Sequence, residues 1–251
     1  MKLLRYLREL LLLGICLSLP QPAVAGEVVL HASRDNTLYS DDVLSNGSGE
    51  WLFAGRTADG RIRRGLIHFD VADAIPAGSR ITGVALELYM SRTNTDSPVR
   101  SKPIAAHRVT RDWGEGASDA LVQEGDGIAA EAGDATWEYA TYDTVPWETP
   151  GGDYVADYSA KTAIGDVGWY TWEAEAMIAD VQGWVDDPAT CFGWILIGVE
   201  TVDTTARRFN AREHSSEDAR PILRVTYEAG TTTEPTGVRL SSWGTVKDDS
   251  E

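Results

Sequence analysis

Four tryptophans, Trp113, Trp137, Trp147 and Trp169, fall in a stretch rich in Gly and Asp, where no regular period assigns them to a core. Exposed indole rings stack on the apolar faces of sugars while neighbouring polar groups hydrogen-bond the hydroxyls, so glycan binding is the first chemistry these residues suggest. The competing reading is that each tryptophan anchors a loop with no other core. Trp184 and Trp194 lie on apolar periods and read as core, and Trp172 reads as a packed residue at the start of a helix. Arginine offers a second chemistry. Arg61, Arg63 and Arg64 precede one strand signal, and Arg207, Arg208 and Arg212 sit on late ones; planar guanidiniums meeting across a sheet clasp a carboxylate or sulfate bidentately. Arg64 and Arg212 are the candidate ligand contacts of this kind, with intramolecular ion pairs as the alternative.

Acidic side chains offer a third chemistry. Asp35, Asn36, Asp41 and Asp42 form one cluster and Asp119, Glu124, Asp126 and Asp134 another, and both supply the oxygen ligands that calcium takes. Asp35, Asn36, Asp126 and Asp134 are the candidate ligands for a structural Ca2+, although no EF-hand spacing is present and solvated acidic loops have the same composition. Catalytic signatures are missing from the sequence: there is no Gly-x-Ser-x-Gly, His-Glu-x-x-His or Gly-Lys-Ser/Thr phosphate loop. His31, His68, His107 and His214 are dispersed along the chain. The chain therefore reads as non-catalytic. Two carboxylates serving as acid and base depend on spatial separation alone, which leaves a polysaccharide-degrading enzyme as the third reading.

The elements that position these residues are mainly strands. In residues 84–90 the even positions Val84, Leu86, Leu88 and Met90 are apolar, the period of a strand with one face on a core. Residues 65–71 alternate in the same way. Further strands are expected at residues 28–31, 51–55, 104–109, 194–199, 207–210 and 222–227, and this many short strands separated by turn residues indicates an all-β sandwich. One segment differs: Ala174, Met177, Ile178, Val181, Trp184 and Val185 recur at helical spacing, with Thr171 placed as a cap and Asp186-Asp187-Pro188 stopping the run. This predicts one short helix closing an end of the sandwich. Residues 111–168 are too long for an idle loop and are expected to hold irregular strands and a ligand or ion site.

Several segments occur in an order that resembles the DNRLRE-domain proteins. They are Asp35-Asn36-Thr37-Leu38-Tyr39, Arg63-Arg64-Gly65-Leu66-Ile67-His68-Phe69-Asp70-Val71, Ile75-Pro76-Ala77-Gly78 and Asp112-Trp113-Gly114-Glu115-Gly116. They continue with Asp134-Ala135-Thr136-Trp137, Arg208-Phe209-Asn210-Ala211-Arg212-Glu213 and Arg220-Pro221-Ile222-Leu223-Arg224-Val225. The likeness spans residues 28–227, with Asn210-Ala211-Arg212-Glu213 standing nearest the name motif. It implies a jelly-roll β-sandwich on an exported protein, grouped with carbohydrate-binding modules, some of which take acidic polysaccharide.

Residues 1–25 have the three-part build of a secretion signal: Lys2, Arg5 and Arg8, an apolar run from Leu10 to Leu19, and Ala23-Val24-Ala25 before an expected cleavage at Gly26. The run is about half the roughly 20 residues a membrane span requires. Residues 26–228 form the expected sandwich domain, and residues 229–251 a flexible linker and tail that either stays disordered or docks on a surface or sorting partner through Trp243. Loss of the signal moves the net charge from −17 to −19, and residues 111–168 carry thirteen acids against Arg111 and Lys161. Such a chain is a poor ligand for nucleic acid or an anionic membrane. The same charge favours a neutral or weakly acidic glycan unless a basic patch is segregated. Cys191 is the one cysteine after residue 25, so no intramolecular disulfide is expected, and its apolar neighbours predict a buried, inert thiol. The expectation is a secreted, extracellular or cell-surface protein binding polysaccharide or cell-surface glycan; a structural matrix protein without a glycan ligand is the alternative.

Overall fold

The computed structural model describes residues 25–41, 43–93 and 101–230. All of the expected signal except Ala25, the tail from residue 231 and Asp42 lie outside the described residues. In chain order the strands are β1 (Ala25–His31), β2 (Arg34–Tyr39), β3 (Leu44–Ser45), β4 (Trp51–Arg56), β5 (Ile62–His68), β6 (Arg80–Thr93), β7 (Lys102–Arg108) and β8 (Ile128–Ala129). They continue with β9 (Tyr139–Thr141), β10 (Val145–Pro146), β11 (Ala160–Ile164), β12 (Gly168–Trp172), β13 (Trp194–Ile197), β14 (Arg207–Asn210) and β15 (Ile222–Glu228). Two helices, α1 (Val71–Ala74) and α2 (Glu175–Asp186), complete the regular structure together with two short 3-10 turns.

The strands pair antiparallel along the path β1-β15-β6-β14-β4-β5-β13-β7-β11, with β12 added to β6 and β2 to β5. The path curls into two facing layers because β4 belongs to both. Residues 51–54 pair with β14, whereas Gly55 and Arg56 pair with β5. Gly55 makes the corner: its φ is 115°, and a Cβ there would lie 2.7 Å from the Thr205 carbonyl oxygen. Only glycine takes that conformation without strain. Within the first layer, Met90 pairs with both Phe209 and Gly168, so β12 occupies one edge of β6 while β14 and β15 share the other.

Alternation on β6 is the pattern expected of a half-buried strand. Val84, Leu86, Leu88 and Met90 enter the core with Phe209, Leu223 and Val225, and meet Ile67, Ile104, Trp194 and Leu196 of the second layer. The result is an all-β, jelly-roll sandwich with α2 closing an end. Gln182 of α2 accepts a hydrogen bond from the Ile81 amide at 2.9 Å and donates to the Ser79 carbonyl at 3.1 Å, fastening the helix to the start of β6. Met177, Val181, Trp184 and Val185 form its buried stripe, and the Trp184 and Trp194 rings meet at 4.5 Å.

Two boundaries differ from expectation. Thr171 is not the helix cap; it lies within β12 opposite Glu87, and the helix begins after Ala174 with no side-chain cap. Trp172 ends that strand, fully buried, and donates its indole N–H to the Ile104 carbonyl. Pairing with the long β6 outweighs the local capping signal. The strand expected to run to Val71 stops at His68, and Val71 opens α1.

The second layer is buried on both faces. Leu66 and Ile195, which point away from the main core, join Leu38, Val109, Trp113, Ala135, Ala140 and Trp147 in a separate apolar cluster. Much of the long acidic segment therefore folds down as a third layer, with tryptophans as its core. Trp113 is 1% exposed and donates its indole N–H to the Phe192 carbonyl at 2.9 Å; Trp147 is 5% exposed and donates to the Thr136 carbonyl at 2.9 Å. The sequence carried a signal for this in the unbroken apolar run of β13, which has no polar alternate face. Replacing Trp113 with alanine is expected to lower unfolding free energy by about 3–5 kcal/mol. Replacement of the surface residue Trp169 is expected to stay within about 0.5 kcal/mol. Urea unfolding of both variants checks this, and equal small losses would contradict the layer.

Candidate functional site

The expected glycan platform is divided by the fold. Trp113 and Trp147 are interior residues and are withdrawn from the binding surface, because the outer face of the second layer needs cover. Trp137 is partly buried, packed on that same cluster, and the Arg64 guanidinium lies 4.7 Å from the centre of its ring. Arg64 in turn holds Glu200 through two hydrogen bonds of 2.7 and 2.9 Å; burial works against its charge, but the bonds and charge of that carboxylate outweigh burial and keep the guanidinium protonated. Of the four tryptophans, Trp169 is the exposed one, at 45%, on the outer face of the first layer. Cys191 is half-buried and lies against the Phe69 carbonyl; burial pushes its thiol up to about 12, so it is inert at neutral pH.

Arg212 is likewise taken up by acids. It bonds Glu115 at 3.1 and 3.0 Å and contacts Glu213, while its backbone N–H donates to Asp35 at 2.6 Å. Asp35, Glu115 and Glu213 bring carboxylate oxygens within 4.8 Å of one another, and Arg212 supplies the cation they need. The residues expected to ligate calcium are otherwise distributed. Asn36 spends its side chain on the Ser45 hydroxyl, the Glu115 carbonyl and the amides of Thr37 and Asn46. Asp134 is buried and accepts from the amides of Ser118 and Glu131. The Asp126 side chain is 95% exposed and faces Arg61. Three of the segments that carried the family resemblance thus converge on a polar latch between β2, the start of the long segment and the turn after β14. The histidines stay apart: His68 bonds Ser33 and the Cys191 carbonyl, and His107 the Val155 carbonyl.

A different cluster is available to a ligand. A groove of about 460 Å3 opens beside β14 and the end of β6, lined by Arg92, Arg207, Arg208, Gln123 and Phe53 among others. Its volume lies in the range of small-ligand sites. Among the described residues, eleven arginines make ion pairs with carboxylates, from Arg34 with Asp112 to Arg224 with Glu87. Arg92 and Arg208 make none there. Both instead donate to one neutral acceptor, the Gln123 side-chain carbonyl, Arg208 from 3.3 Å and Arg92 from closer. Arg208 also donates from Nε to the Ser91 hydroxyl at 3.1 Å and stacks on Trp51 at 3.7 Å from the ring centre. Burial, and then the positive charge of Arg92, make the Arg208 guanidinium easier to deprotonate than usual, the direction expected of a cation short of counter-charge.

The loop that delivers Gln123 is strained. Leu121 and Val122 take φ of 56° and 57° and are 62% and 85% exposed. A β-branched residue in that region is costly, and such strain concentrates at binding sites. Glu124 fixes the loop from below: its carboxylate accepts from Asn46 Nδ2 and from the amides of Glu50 and Trp51 at 2.8 to 3.1 Å. The Glu124 carboxylate is therefore committed to Asn46 and two backbone amides, and its charge on Arg208 is outweighed by burial and by Arg92. Sequence reading placed Arg208 on a late strand but could not see Gln123 or Arg92 brought to it.

Comparison with models of known protein families and with curated proteins finds no match.

The polar latch has a pH signature. Burial raises the Glu213 carboxyl to about 7; Arg212 opposes the rise and Glu115 adds to it. Asp35 is also pushed well above the usual carboxylate range, first by burial and then by Glu213. Groups with raised pKa favour the fold when protonated, so their contribution is complete at acid pH and is lost as pH rises through about 7 for Glu213. Thermal unfolding is expected to show a decline in Tm from pH 5.5 to pH 8.5 that is smaller in Glu213→Gln. Identical declines in the two proteins would show that the latch does not titrate.

Proposed function

We propose that this chain is an exported, non-catalytic glycan-binding module whose ligand carries carboxylate groups. The observation that carries the reading is the pair Arg92 and Arg208, which share a neutral amide acceptor beside an open groove on a chain of formal charge −17. An acidic protein that pairs eleven of its described arginines with its own carboxylates has in this place a segregated basic patch. The local arrangement of cations, rather than the net charge that favours a neutral glycan, therefore selects the ligand here. A sugar carboxylate would replace the Gln123 carbonyl, converting neutral hydrogen bonds into charge-assisted, bidentate ones. Phe53 in the wall supplies apolar surface against which a sugar ring could lie, and Trp51 props the Arg208 guanidinium from beneath.

The sandwich and the motif order resembling DNRLRE-domain proteins support the same assignment, and the signal-like residues 1–25 support export. The commitment of Glu124 to backbone amides supports binding over hydrolysis, since a glycosidase needs a pair of carboxyl groups free to act at the groove.

Calorimetric titration of the full chain against an oligouronate, a sulfated oligosaccharide and a neutral one tests the reading. The oligouronate is expected to bind, more weakly at high salt, with the neutral sugar inert. Gln123→Glu would place an internal carboxylate between the two guanidiniums and is expected to weaken binding at least about tenfold without lowering Tm. No heat with the oligouronate, or equal affinity for the neutral sugar, overturns the proposal; preference for the sulfated sugar replaces carboxylate by sulfate.

A further inference from the structure

We propose that Trp169 and Tyr89 form a second, stacking subsite on the outer face of the first layer. With Arg208 it would take a linear acidic oligosaccharide lying obliquely across β12, β6 and β14. The inference rests on the glycan reading above and specifies the length and path of the ligand.

Trp169 stands directly opposite Tyr89 in the β12–β6 register, and their rings meet edge to face at 5.5 Å and 73°. Leu88 and Met90 on either side of Tyr89 are fully buried, so alternation turns Tyr89 outward, and Ser91, two residues on, faces the same way. Ser91 is the residue whose hydroxyl receives the Arg208 Nε hydrogen bond. One row of outward positions on β6 therefore links the aromatic pair to the guanidinium of the groove.

The register also sets the spacing. Trp169 and Arg208 are separated by two strand spacings, about 10 Å, and by two to three residues along β6, about 7–10 Å. A single sugar ring cannot reach both; a short oligosaccharide can. Tyr89 holds the indole on its edge, leaving nearly half of Trp169 to solvent. A ring held in place in this way loses little freedom on stacking against a sugar.

The test is calorimetry of the full chain and of Trp169→Ala and Arg208→Met variants with a uronic acid monosaccharide and its homo-oligomers of increasing length. Affinity of the full chain is expected to rise with length until the oligomer spans both subsites. Trp169→Ala is expected to lose about tenfold on the long oligomers and nothing on the monosaccharide, and Arg208→Met to lose affinity for all lengths. Long oligomers are expected to change indole fluorescence more in the full chain than in Trp169→Ala, while the monosaccharide changes both equally. If long oligomers bind Trp169→Ala as they bind the full chain, or if Trp169→Ala weakens the monosaccharide equally, the second subsite is refuted while the arginine site stands. If no uronate of any length binds, both proposals fall together.

Discussion

Burial of both faces of the second layer governs where this protein can meet a ligand. β5 and β13 carry apolar side chains on each side, so one face closes the main core and the other has to be covered by something else. The long segment after Arg111 supplies that cover and commits Trp113 and Trp147 to it. Aromatic residues that composition alone would offer to a sugar are spent on packing. The first layer is covered on its inner face, and its outer face carries Tyr89, Trp169, Ser91 and Arg208 toward solvent.

Charge neutralisation is the second constraint, and it acts locally. With an excess of acids, a guanidinium on this chain meets a carboxylate almost wherever it is placed; Arg64 with Glu200 and Arg212 with Glu115 are examples. Among the described residues Arg92 and Arg208 escape because the neighbours they bond or stack on are a glutamine, a serine and an indole, and because Glu124 faces three donors of its own. Net charge thus describes how the whole molecule repels or attracts at a distance, whereas recognition at close range depends on which cations lack an internal partner.

The sandwich was legible because period-two alternation is a local property. Val84, Leu86, Leu88 and Met90 announce their strand, and residues 207–210 match theirs at both ends. The helix was legible from its apolar stripe but not its start, since Thr171 satisfies a local cap rule while β6 offers it a strand partner far away in sequence. The candidate site was much less legible. Gly and Asp around a tryptophan mark irregular backbone without saying whether that backbone lies on a sheet or in solvent. Gln123 carries no sequence signal at all; its role arises where a strained turn meets β6 and β14.

A crystal structure of the full chain with a bound oligouronate tests the central claim most directly. The account predicts a sugar carboxylate within hydrogen-bond distance of both Arg92 and Arg208, with the Gln123 carbonyl displaced from them. A carboxylate seated elsewhere, with Gln123 still bridging the two arginines, would contradict it.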